Sequence, residues 1–293
     1  MKRILLTTTS LILAAGFAHA DVTFSGKGEV SVAQATGADT MSVRSGYDLN
    51  VSLSGASDNG ITYSMGLDMG AGSIIDRDDD YAIDTQGETI GTSALTIGYA
   101  GLTLVAGQNK VDDLYDDQQN GDVGISGSFG SLNFSAVADT DSGASSNSFS
   151  LSGTADAITW GFVTTDNNAA VADGETDVDA NGGVSASKVT VGFTVSDALS
   201  MSFKHDTKGS AAAVNTLGAT YAMGSLTLGL SGADDDTTDF SVGYAAGPLS
   251  ATYKTDESDN WKFVSEYDLG GGASAFLSTN HTEFAALGMS FAF

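Results

Sequence analysis

The sequence predicts an all-β fold, a transmembrane antiparallel β-barrel, and three observations carry that expectation. Apolar residues recur on every second position in one segment after another, the period of a strand whose two faces meet different surroundings. The connectors between those segments alternate between tight Gly, Ser or Asp turns and longer acidic loops, as an even-stranded barrel with both termini on one side requires. The composition has 37 Gly, one Pro and no Cys, which suits long uninterrupted ladders and supplies no disulfide framework.

The N-terminus reads as an export signal. Lys2 and Arg3 precede an apolar run from Ile4 to Phe17, and Ala18-His19-Ala20 forms an A-x-A cleavage pattern before Asp21. Residues 1–20 are therefore expected to be removed, leaving 21–293 as a single barrel. Beyond the leader no apolar run approaches the roughly 20 residues of a spanning helix, so any crossing of a bilayer is by strands. Nine Lys and Arg then stand against 37 Asp and Glu, a net charge of −28. That sign excludes nucleic acid as a partner. A 41% hydrophobic content separates the chain from acidic disordered tails.

In order, Val22 to Val32, Val43 to Leu53 and Ile61 to Met69 each place apolar residues on one face, with Asp58-Asn59-Gly60 as turn chemistry between the second and third. A polar loop, Gly72 to Thr92, leads to Leu95 to Tyr99 and, through Ala100-Gly101, to Leu102 to Ala106. The acidic segment Asn109 to Asp122 follows. Tight turns then join Val123 to Phe129 with Leu132 to Ala136, and Phe149 to Leu151 with Ile158 to Phe162. After a second long loop, Thr165 to Gly183, the same scheme gives Val189 to Val195, Leu199 to Phe203, Leu217 to Met223 and Leu226 to Leu230. An acidic loop, Ala233 to Asp239, precedes Phe240 to Tyr244, Leu249 to Tyr253, Trp261 to Leu269, Ala273 to Leu277 and the closing strand. The count is eighteen.

Once the strands are set in register, Lys27, Glu29, Arg44, Asp48, Asp68, Lys204, Lys254, Lys262 and Glu266 all fall opposite the apolar face. A charge turned to lipid costs about 2 to 4 kcal/mol near the midplane, which explains the segregation in a bilayer. A soluble sandwich also segregates its faces. The bulk of the apolar face, the aromatics near strand ends and the Gly, Ser and Thr of the opposite face favour a barrel with a watery lumen. The expected lumen wall is then Lys27, Arg44, Asp48, Asp68, Lys204, Lys254, Lys262 and Glu266.

Three stretches carry a family resemblance: SGASDNGITYSMGLDM from Ser54 to Met69, YDLGGGASAF from Tyr267 to Phe276, and the closing LGMSFAF. With the leader they resemble the alphaproteobacterial non-specific outer-membrane porins. The resemblance implies sixteen strands, usually a homotrimer, and a loop after the fifth strand folded into the lumen as a constriction. That loop would be 109–122, with Asp112, Asp113, Asp116 and Asp117 at the narrowing. It further implies that Leu287, Met289, Phe291 and Phe293 are read by the barrel-assembly machinery. The expected function is passive diffusion of small hydrophilic solutes and ions, with mild cation selectivity from those carboxylates. A structural or adhesive barrel with a closed lumen is the alternative.

The remaining motifs say little. The acidic runs Asp76 and Asp78 to Asp80, Asp173 to Asp179, and Asp234 to Asp236 offer oxygens suited to loosely bound calcium or to bridging lipopolysaccharide phosphates. Val178 stands where an EF-hand needs Gly, so no dedicated metal site is expected. His205 and His281 are the only histidines beyond the leader, and no nucleophile elbow or zinc-protease motif accompanies them, so no enzyme is expected.

Overall fold

The computed structural model describes residues 18–77, 81–87, 90–116, 119–140, 147–168 and 184–293. Among them every regular element is a strand. The first three are β1 (Ala18–Gln34), β2 (Ser42–Ser57) and β3 (Thr62–Ile75). The next three are short: β4 (Ile83–Thr85), β5 (Ile90–Thr92) and β6 (Leu95–Tyr99). Then follow β7 (Leu102–Asp112), β8 (Asn120–Phe129), β9 (Leu132–Ala138), β10 (Asn147–Ala155), β11 (Ile158–Asn168), β12 (Val184–Thr194) and β13 (Leu199–Lys208). The last seven are β14 (Val214–Met223), β15 (Leu226–Ala233), β16 (Thr238–Ala246), β17 (Leu249–Asp256), β18 (Trp261–Gly270), β19 (Ala273–Asn280) and β20 (Ala285–Ala292).

Apart from β4 and β5, each strand pairs antiparallel with its neighbours along the chain, β3 with β6 included, and β1 pairs with β20 to close the cylinder. The Gly26 N–H donates to the Phe293 carbonyl and the Phe293 N–H donates to that of Gly26, both at 3.1 Å. β5 and β6 are two pieces of one stave, since both pair with β3. β4 pairs only with the tip of β3, off the main sheet. The wall thus has eighteen staves among the described residues, the number counted from alternation and two more than the porin resemblance implies.

Period-2 alternation places the predicted apolar rows outward, where Val43 is 76% and Phe129 84% exposed on the isolated chain. A continuous apolar surface of this kind suits a membrane-facing wall. Connectors at one end are as short as the two residues between β6 and β7 or between β16 and β17. At the other end they are longer early in the chain, but only four residues separate β15 from β16, β17 from β18 and β19 from β20. The expected two-beat rhythm is therefore strong in the first half and slight in the last. The ladders also run further than the apolar residues do: Asn109 to Asp112 belong to β7 and Asn120 to Asp122 to β8, leaving 113–119 as the turn.

The inner face departs from the expected Gly, Ser and Thr lining. One apolar cluster joins Ala33, Ile75, Phe276, Phe284 and Ala286 with Ile83 packed against it; a second joins Ala94, Val111 and Val137 with Val105 and Leu114. Both lie on the lumen side because Ala33, Phe276, Ala286 and Val137 alternate with outward Val32, Leu277, Leu287 and Ala136. Each cluster beds a segment that leaves the wall and enters the barrel.

Candidate functional site: two insertions in the lumen

The first insertion, here the strap, is described at residues 73–77 and 81–87. At Gly72 the backbone adopts φ +79, in the left-handed region that favours glycine, and β3 turns off the wall. Its path crosses the inner face of β2 at Gly46, where an added Cβ would stand 2.7 Å from the Ser73 backbone nitrogen. The strap then closes on itself as a hairpin, with Ser73 to Ile75 paired to Ile83 to Thr85 and the Asp76 N–H donating to the Ala82 carbonyl at 2.9 Å.

Having crossed β2, the strap lands on β1. The Ile75 N–H donates to Glu29 Oε1 at 2.8 Å, and Arg77 Nη1 donates to Glu29 Oε2 at 2.6 Å. Arg77 Nε reaches Glu266 Oε1 on β18 at 2.5 Å, and its guanidinium lies 4.2 Å from the ring centroid of Phe276 on β19. Glu266 and Phe276 are cross-strand partners, so one guanidinium covers both at once. The Glu29 side chain is fully enclosed, and a carboxylate so buried persists only when paired and hydrogen-bonded. Further along, the buried Tyr81 ring faces Lys262 Nζ at 5.4 Å and Lys254 Nζ at 6.0 Å.

The second insertion is the turn between β7 and β8, described at 113–116 and 119. Asp113 organises it: its Oδ1 accepts from the Tyr115 N–H at 2.7 Å and the Asp116 N–H at 3.2 Å, and its Oδ2 accepts from Thr165 Oγ1 on β11 at 3.1 Å. The Leu114 N–H donates to Ser148 Oγ on β10 at 3.0 Å. Tyr115 extends to β12 and β13, where its hydroxyl donates to Asp206 and its ring lies 4.5 Å from Lys188 Nζ and 5.8 Å from Lys208 Nζ. Burial, and then the bond to Asp206, hold the Tyr115 phenol well above its ordinary range, so it stays a neutral donor.

The expected constriction residues separate in this geometry. Asp113 is buried as the turn's internal scaffold, Asp116 is half-buried and accepts from Gln119 Nε2 at 3.3 Å, and Asp112 is exposed at the end of β7 opposite Asn120. Asp117 lies outside the described residues. Of the wall set, Lys27 and Asp48 are cross-strand partners, as are Lys254 and Lys262. Arg44 pairs with Ser31, Asp68 with Asn50, and Lys204 with Thr190. All share the face opposite the outward apolar rows. Leu287, Met289, Phe291 and Phe293 lie on the outward row of β20.

Glu29, Arg77, Tyr81, Tyr115, Lys188, Asp206 and Lys208 are functional candidates that site reasoning on the sequence missed. The available signal was apolar residues in supposedly external acidic loops: Ile74, Ile75, Tyr81 and Ile83 in one and Leu114 and Tyr115 in the other. Among the acidic runs, Asp234 accepts from Asn215 and Asp235 from Thr237, while Asp78 to Asp80 and Asp173 to Asp179 lie outside the described residues. Hydrogen bonding from the Asn215 side chain and backbone holds the Asp234 carboxyl below the usual range. Among the described residues no three His, Asp or Glu side chains converge as a metal would need.

A family model described as Gram-negative porin matches residues 7–286. The chain belongs to that family. No curated protein sequence matches it. Among solved structures, this porin is similar to three mutant forms of the Rhodopseudomonas blastica porin, with TM-scores of 0.53, 0.52 and 0.51 at 15%, 14% and 16% identity, each match covering 93% of this chain and all of the other. At that identity the shared property is the fold. Family and fold together make this porin an outer-membrane channel protein, and the eighteen-stave barrel is its channel.

Proposed function

We propose that this porin passes small hydrophilic solutes and cations in preference to anions, and that the turn 113–119 supplies the preference. The observation that carries the reading is the character of the inner wall away from the insertions. On β14, β15 and β16 the inward positions include Thr216, Gly218 and Thr220, Thr227, Gly229 and Ser231, and Ser241 and Gly243, small groups that leave room for water and offer it hydroxyls, with Asp239 beside Ser231. The anchors of the strap and the turn fall on other staves. Solutes moving along that wall pass the carboxylates of Asp112 at the end of β7 and Asp116 in the turn, whose field extends about 8 Å at physiological salt. Lys188 and Lys208, across the Tyr115 ring, make the selectivity mild.

Planar-bilayer recording of the refolded protein tests this directly. Stepwise conductance with a reversal potential shifted toward the cation equilibrium value is the expected result. A clear anion preference would end the selectivity reading, and absence of steps would favour a closed structural barrel. The wider reading includes cleavage before Asp21, a homotrimer, recognition of the Leu287-Met289-Phe291-Phe293 row by the barrel-assembly machinery, and contact of the acidic loops with lipopolysaccharide, with loosely held calcium as a bridge. Phe293→Ala should reduce the amount of heat-modifiable barrel in outer membranes while leaving the conductance of the surviving channels unchanged.

A further inference from the structure

We infer that the strap is a clasp on the closing seam of the barrel: rooted on the β1 side of that seam, it grips the β20 side from within the lumen and resists parting of the two strands. Its grip does not depend on which solutes the channel passes. On its own the seam is the shorter of the two ladders that β1 makes. β1 pairs with β2 from Ala18 to Ala33, but with β20 only from Lys27 to Gln34, and the bonds between Gly26 and Phe293 end it.

The path of the chain makes the grip possible. β3, from which the strap springs at Gly72, is the third stave on the β1 side of the seam, and β18 is the third on the β20 side. Ile75 and Arg77 take their bearing on β1 through Glu29, and Arg77 then reaches over the seam to Glu266 on β18 at 2.5 Å and to the Phe276 ring on β19 at 4.2 Å. One guanidinium thus holds a carboxylate on either side. Phe276 spans the seam as well, because a Cβ added at Gly288 of β20 would stand 2.6 Å from the Phe276 Cζ and 2.7 Å from the Ser31 Cβ of β1. Ala33 and Ala286, cross-strand partners at the seam, share an apolar cluster with Ile75 and Phe276.

Parting β1 from β20 therefore breaks more than ladder bonds. The strap would travel with β1 and β3, so its contacts with Glu29 would survive while those with Glu266, Phe276 and Ala286 were lost. That loss separates an ion pair and opens an apolar cluster to water, and both costs oppose local opening. Glu29 positions the strap, whereas Glu266 positions the seam. Removing Glu266 weakens the grip yet leaves Arg77 on Glu29.

Peptide-resolved hydrogen exchange of the folded full chain in detergent tests the clasp. In Arg77→Gln the amides of Lys27 to Gln34 and Ala285 to Ala292 should exchange about tenfold faster than in the wild type, while β8, β9, β14 and β15, staves remote from the seam, should keep wild-type rates. Glu266→Gln should give the same pattern at about threefold. It decides the matter if Arg77→Gln fails to fold, since the Glu266 side chain is 37% exposed and Arg77 keeps Glu29. An even rise over all ladders, which is general destabilisation, or unchanged seam exchange in folded Glu266→Gln, would overturn the clasp and leave the channel reading intact.

Discussion

The strap and the acidic turn enter the same lumen by opposite physical means. The strap is held by ions over an apolar bed, with Arg77 between Glu29 and Glu266 and Phe276 beneath it. The turn is held by many shorter-range hydrogen bonds, three of them accepted by the Asp113 carboxylate and the others spread over Ser148, Asp206, Asp116 and Gln119. Ion anchoring is concentrated, so one substitution should release the strap. Hydrogen bonding is distributed, so the turn should loosen in steps.

The largest effect should come from Glu29→Ala. Removing one partner of a buried pair costs roughly 3 to 5 kcal/mol, and because Glu266 remains for Arg77 the lower end is expected. Chemical unfolding in detergent would show it as a lowered midpoint, and an unchanged midpoint would refute concentrated anchoring. Asp113→Ala comes next at about 1 to 3 kcal/mol, because the Tyr115 and Asp116 N–H groups and the Thr165 hydroxyl lose their acceptor. Its readout is proteolytic nicking within 113–119, which should increase while the strap stays protected.

Tyr115→Phe should cost about 1 kcal/mol, the net worth of one hydrogen bond. Folding favours the protonated phenol, so this contribution is full below an ordinary tyrosine pKa of about 10 and fades only as pH climbs beyond it. An absorbance titration of phenolate should therefore be the same in wild type and Tyr115→Phe through that ordinary range. A lost tyrosine step in the variant would place Tyr115 in water. The smallest effect should be that of Lys254→Gln, about 0.5 kcal/mol, since the ring of Tyr81 keeps Lys262 as the nearer cation.

The contrast also explains what could be read from the chain beforehand. Wall residues obey a local rule, and alternation alone puts Lys204, Lys254, Lys262 and Glu266 on the inner face and counts eighteen staves. The insertions obey a non-local one. Arg77 sits among Asp76 and Asp78 to Asp80, so its neighbours in sequence make it look like part of a solvated loop, while its partners Glu29 and Glu266 lie 48 positions before and 189 after it. Phe276 is an inward aromatic between the outward Ala275 and Leu277, against the alternation that puts bulky apolar groups on the outer face. Tyr115 stands among four aspartates in one short segment, while its partner Asp206 lies 91 positions further along the chain.

Closure of the ladder has a kinetic consequence. Most strands find their partner a few residues away, so hairpins can form as soon as both halves exist. The pairing of Gly26 with Phe293 joins residues 267 apart, and its loop entropy is met only after everything between is in place. Until then β1 and β20 are open edges, templates for joining another chain. A net charge of −26 makes such chains repel one another, so the same carboxylates that dress the finished channel protect it against aggregation while it is still unfinished.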